Sequence, residues 1–189
     1  GYTRSRAVYN PAAPMVTLVS NVVEAGAPIP HAHSQLMAVP ITPPVTKTEL
    51  HACRDYFRAH ERCLLCDLIH QELDDGQRLI QATDRFVAFC AVAGRQPYET
   101  WILPRAHQAG FEALSDSDAL ALAEVLQTLV GGLQDLLSPL AYNLILHSAP
   151  FDQEEPCSYH WHLELVPRST QLAGFEWGTG MHINPLAPE

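Results

Sequence analysis

His31-Ala32-His33-Ser34-Gln35 near the start of the chain and His160-Trp161-His162-Leu163-Glu164 near its end read as two copies of one pattern. In extended backbone, residues two apart point the same way. Each copy therefore sets two imidazoles and a Gln or Glu side chain along one face. The later copy is preceded by a complete run of predicted elements beginning near residue 49, the earlier by almost nothing. The chain thus reads as the tail of one repeat, residues 1–47, followed by a complete second repeat, residues 48–189.

The elements around these motifs follow from local pattern. Met15 to Val23 is β-branched and apolar, which predicts a strand. The prolines at 40, 43 and 44 predict an extended connector over 39–47. Glu49–His60 and Leu64–Leu73 read as helices flanking Cys63 and Cys66. Strands are predicted at about 78–82, 85–92 and 99–104. A long helix starts behind Ser115, with Asp118 placed for a capping box. Leu122, Leu126, Leu129, Leu133 and Leu136 give that helix one apolar stripe. Strands near 141–147 and 159–166 close the unit. Strands, then a helix, then strands predict an α+β fold with a mostly antiparallel sheet and a helix packed on one face.

Composition narrows the function. The chain has 189 residues, 47% of them hydrophobic, enough to bury the core of one domain. Only 11 Lys and Arg oppose 21 Asp and Glu, a net charge of -10. Nucleic-acid affinity comes largely from cations on phosphates, so no nucleic-acid partner is expected. No apolar run approaches the roughly 18 residues of a membrane span, and no signal-peptide pattern opens the chain. A cytoplasmic protein that binds no membrane is expected. Five cysteines, an odd number, do not suggest a disulfide framework.

Cys63-x-x-Cys66 has chelating spacing. Zinc takes four ligands in a tetrahedron, with thiolate and imidazole preferred. The remaining ligands would come from histidines at strand ends, His107 and His160. The plainer alternative is a helix start with two buried thiols. His33 could attack phosphorus as a neutral imidazole if its other nitrogen were held by a carbonyl. Gln35 could then donate its amide to a phosphate oxygen as charge develops. A structural histidine pair, or two metal ligands, remains the competing reading of His31 and His33. His51, His60, His70 and His147 read as surface or half-buried residues, and Glu154 with Glu155 as a solvated pair.

Residues 26–36, Gly-Ala-Pro-Ile-Pro-His-Ala-His-Ser-Gln-Leu, resemble the G-A-x-x-x-H-P-H-x-Q segment of galactose-1-phosphate uridylyltransferases, members of the histidine-triad superfamily. Ala173-Gly-Phe-Glu-Trp-Gly-Thr-Gly180 with Ile183-Asn184-Pro185 is similar to the family's closing segment. The resemblance implies a histidine-triad repeat fold and a uridylyl-histidine intermediate. His33 would be the nucleophile and Gln35 the phosphate-stabilising residue. It implies UDP-glucose and galactose-1-phosphate as substrates, His31 as part of the first repeat's metal site and Asn21 as a nucleotide contact. Phe175, Trp177 and Thr179 would reach the hexose of a neighbouring subunit, which implies a homodimer. The second repeat would hold zinc through Cys63, Cys66, His107 and His160. Other members instead use residues matching Glu49, His147, His160 and His162. Ala32 departs from the family's proline, and Glu164 stands where a second active repeat would have Gln. A further expectation is that the chain needs a first half-repeat, which a separately encoded chain could supply, to be active. Adenylyl transfer to phosphate, as in ADP-glucose phosphorylase, and a non-catalytic zinc-stabilised subunit are the alternatives.

Overall fold

The structure, a computed structural model, describes residues 15–21, 33–151, 155–171 and 173–189. His31 lies outside the described residues, as does Glu154. The elements in chain order are β1 (Met15–Asn21), β2 (His33–Val39), α1 (Pro44–His60), α2 (Leu64–Asp75), β3 (Leu79–Ala82) and β4 (Phe86–Cys90). Then follow β5 (Thr100–Pro104), α3 (Asp116–Leu136), β6 (Tyr142–His147), β7 (His162–Pro167) and α4 (Gly174–Thr179). The strands form one sheet, ordered β2-β1-β6-β7-β5-β4-β3, and every neighbouring pair is antiparallel.

Strand alternation divides the core between the two faces of the sheet. Phe86, Ala88, Ile102, Trp161, Leu163 and Leu165 pack on α3 through Leu122, Val125, Leu129 and Leu133. Val87, Phe89 and Leu103 point the other way, onto Cys63, Leu65 and Ile69 at α2. Leu50 and Cys53 of α1 close that second face against Ala149 and Tyr159. Helices therefore cover both faces, one more layer than the sequence pattern predicts. That layer makes β7 buried along its whole length.

The α3 stripe differs at its end. Leu136 is 69% exposed, and Val125 completes the buried row in its stead. The start of α3 is as predicted: Ser115 Oγ accepts from Asp118 N at 3.1 Å. The expected connector over 39–47 is shorter than predicted, since α1 begins at Pro44. Proline suits the first helical turn, where its missing N–H would have no partner anyway. α2 ends at Gly76 in the left-handed region, φ 71°, donating its N–H to Glu72 O. No helix among the described residues is long and apolar enough to cross a membrane.

Register carries the internal echo into three dimensions. On β1–β2, Asn21 faces His33 and Val19 faces Gln35. On β6–β7, His147 faces His162 and Ile145 faces Glu164. The two strand pairs meet through β1 and β6, where Val19 faces Ile145. Gln35, Val19, Ile145 and Glu164 thus form one continuous row across the sheet.

Candidate metal centre and nucleophile strand

Cys63 is the N-cap of α2, and Cys66 lies in its first turn. The N-terminal end of a helix favours a thiolate. His107 follows β5 and His160 stands two residues before β7, so two strand ends bring imidazoles over the helix start. Cys66 Sγ lies 3.4 Å from His107 Nδ1 and 3.4 Å from His160 Nδ1. One ligand atom from each of Cys63, Cys66, His107 and His160 falls within 4.8 Å of the other three. His107 Nε2 sits 3.4 Å from the Pro156 carbonyl, which orients the ring with Nδ1 inward.

The electrostatics suit a cation. The Cys63 thiol is pushed far down, first by hydrogen bonding with Cys66, then against burial by His107 and His160. Cys66 is pushed up by its hydrogen bond to Cys63, by burial and by the neighbouring thiolate. A metal ion binding here would displace the thiol protons. His160 is fully buried and its Nε2 lacks a hydrogen-bond partner. Two thiolates and two imidazoles are a donor set that fits a metal.

A second cluster lies beside the first. Glu49, His147, His162 and Glu164 bring their ligand atoms within 4.8 Å of one another. His147 is buried here, a correction to its reading as a surface or half-buried residue. Its Nδ1 is 3.0 Å from Glu49, and its Nε2 is 3.3 Å from Glu164 as an ion pair rather than an aligned hydrogen bond. Burial alone would lower its pKa, but Glu164 and Glu49 hold it up at about 9. Tyr159 donates to Glu49 at 3.1 Å, and Arg95 hydrogen-bonds Glu164. The alternative ligand set Glu49, His147, His160 and His162 is not the one assembled, because His160 turns to the cysteines and Glu164 takes its place. Glu155 is likewise no simple solvated residue. It pairs with Arg54 at 3.4 Å and Arg58 at 3.2 Å on α1.

His162 and His33 occupy equivalent register positions but different surroundings. His162 is stacked between His147, centroids 4.6 Å apart, and Trp101 at 5.1 Å. Burial and the charge on His147 lower it to about 4. The neighbouring Glu164 carboxylate would repel a phosphate. His33, by contrast, is half-buried at the start of β2, with Gln35 Nε2 3.2 Å from its Nε2. Asn21 pairs with His33 through the backbone. Phe175 and Trp177 are exposed on α4, where Thr179 Oγ1 donates to the Phe175 carbonyl at 2.7 Å. Sequence reasoning missed Arg95 and Tyr159: Arg95 sits in an irregular loop with no periodicity to mark it.

The sequence matches the family described as galactose-1-phosphate uridyl transferase, C-terminal domain, over residues 49–188. The chain is 35% identical over 167 residues to an ADP-glucose phosphorylase of Arabidopsis thaliana, covering 87% of this chain and 46% of that protein. It is 28% identical over 174 residues to a galactose-1-phosphate uridylyltransferase of Thermotoga maritima, covering 88% of this chain and 54% of the relative. A crystal structure of an Arabidopsis thaliana ADP-glucose phosphorylase with bound ADP-glucose superposes with a TM-score of 0.84 at 33% identity. That match covers 92% of this chain and 56% of the other. The chain spans about half the length of the curated relatives it matches.

Proposed function

This chain belongs to the galactose-1-phosphate uridylyltransferase family through its C-terminal domain, and on that footing we propose that it serves nucleotidyl transfer through His33. The observation that carries the reading is the β2 pair, His33 and Gln35, with an amide nitrogen 3.2 Å from the imidazole Nε2. An imidazole nitrogen attacks the α-phosphorus of UDP-glucose, an N–P bond forms, and the bond to the departing glucose-1-phosphate oxygen breaks. Gln35 donates to the phosphate oxygen on which charge accumulates. Galactose-1-phosphate then takes the uridylyl group and frees His33.

In this reading residues 1–47 end one histidine-triad repeat and residues 48–189 form a complete second one. The matched registers of β1–β2 and β6–β7 support that division. The second repeat is structural, since His162 is buried and Glu164 replaces the amide donor. Its Cys63, Cys66, His107 and His160 hold zinc, whose preferred donors these are. The bound ion would tie the start of α2 to the ends of two strands. Asn21 contacts the nucleotide, His31 contributes to the first repeat's metal site, and Phe175, Trp177 and Thr179 reach the hexose of a second copy of the chain. The exposure of Phe175 and Trp177 supports the last assignment.

A second reading, adenylyl transfer from ADP-glucose to phosphate, is favoured by the 35% identity to an ADP-glucose phosphorylase. Turnover assays with UDP-glucose plus galactose-1-phosphate, and with ADP-glucose plus phosphate, separate the two. His33→Gly should abolish either, and Gln35→Ala should cost about 10²–10³ in rate as a lost oxyanion donor. Full activity in His33→Gly would remove the reading altogether.

A further inference from the structure

Glu49, His147, His162 and Glu164 have the donor types and the proximity of a metal site, yet both carboxylates already have partners. His147 Nδ1 lies 3.0 Å from Glu49, and its Nε2 stands 3.3 Å from Glu164 without an aligned hydrogen bond. His162 Nδ1 faces the His160 carbonyl at 3.3 Å, so only Nε2 could ligate. Glu49 also accepts from Tyr159. Glu164 accepts from the Arg95 guanidinium, whose charge no physiological pH removes.

Arg95 is itself fixed. Glu99 lies 3.5 Å from its guanidinium and accepts the Arg95 backbone N–H at 2.8 Å. Asn184 Nδ2 donates to the carbonyls of Gly94 and Gln96 at 3.0 and 3.2 Å, pinning the loop on both sides of Arg95. Thr170 binds the Gln96 side chain. Glu164 thereby lies against the permanent charge of Arg95, while Glu49 meets His147 Nδ1 and the Tyr159 hydroxyl.

We propose that Arg95 is the built-in cation of this second cluster: its guanidinium stands in the electrostatic place of a metal ion, and the cluster binds none while Arg95 is present. A dication among these side chains would compete for carboxylates already held by His147, Tyr159 and Arg95 and would sit against the guanidinium charge. Arg95 is a positioning residue in this account. It ties the loop before β5 to β7, and through Glu164 and His147 to Glu49 on α1.

Cobalt(II) titration tests this without reference to nucleotidyl transfer, and its spectrum separates the two clusters. Cobalt at Cys63 and Cys66 gives thiolate-to-metal charge transfer, whereas cobalt among imidazoles and carboxylates gives visible d–d absorption without it. Wild-type protein is expected to take up cobalt with the thiolate signature only. Arg95→Ala should gain one further equivalent lacking that signature, Arg95→Lys should stay at the wild-type stoichiometry, and Glu49→Gln added to Arg95→Ala should remove the gain. A wild-type protein that binds a thiolate-free equivalent, lost in His147→Ala, overturns the proposal. So does a folded Arg95→Ala, judged by circular dichroism, that gains nothing. If Arg95→Ala does not fold, the wild-type titration decides alone. A missing thiolate band would instead count against the cysteine site.

Discussion

Replacing Cys63 by serine should remove the metal and lower the melting temperature by about 10–20 °C. Two contributions set the size. An ion bound only by the folded state stabilises it by about 4 kcal/mol at free metal a thousandfold above the dissociation constant. Cys63 is also a core residue, 7% exposed against Leu65, Ile69, Val87, Phe89 and Leu103. A hydroxyl left without a partner in such a place costs a further ~1 kcal/mol or more. Together these give about 5 kcal/mol, and a chain of this length shifts by roughly 2–4 °C per kcal/mol. Differential scanning calorimetry gives the melting temperature, and inductively coupled plasma mass spectrometry gives the metal per chain. Cys157→Ser is the control: Cys157 is exposed and outside the cluster, so its loss should stay within about 0.5 kcal/mol. A Cys63→Ser protein with unchanged metal content and melting temperature would refute the chelate.

Trp161→Ala should destabilise by about 3–5 kcal/mol, since the ring is fully buried, packs edge-on to Phe111 and donates Nε1–H to Gln108 at 3.1 Å; urea unfolding checks this, and a loss under 1 kcal/mol would contradict the packing. Stability should also show two pH limbs. Burial works to raise Glu164, but His147 and Arg95 hold it at about 2. Its stabilisation is therefore complete above the ordinary carboxylate value and is lost as pH falls through about 2. His147, raised to about 9 in the folded state, stabilises fully below its unfolded value and loses that as pH climbs through about 9. Melting temperatures of His147→Gln from pH 7 to 9.5 should fall less steeply than those of wild type, and identical slopes would contradict the ion pair.

The sequence makes some parts of this site legible and hides others for identifiable reasons. Cys63 and Cys66 are separated by two intervening residues and His160 belongs to a repeated motif, so local spacing announces them. His107 follows a strand recognisable from Thr100 to Pro104. His147 looks ordinary because its partners, Glu49 and Glu164, lie 98 residues upstream and 17 downstream and meet it only through tertiary packing. Arg95 is hidden for the same reason, 69 residues from the carboxylate it binds. The helical stripe of α3 is visible as periodicity, but which of its residues are buried, Val125 rather than Leu136, is set by tertiary packing. The coverage of the second sheet face by α1 and α2 shows in β7, where His162 and Glu164 are buried along with the apolar residues.

The central claim is that His33 becomes covalently nucleotidylated, and intact-protein and peptide mass spectrometry after incubation with UDP-glucose or ADP-glucose tests it most directly. The account predicts a uridylyl or adenylyl increment on the peptide carrying His33, cleared by the matching acceptor and absent in His33→Gly. An increment mapped to His31 or His162, or none in protein assembled with every part its full-length relatives possess, would contradict it.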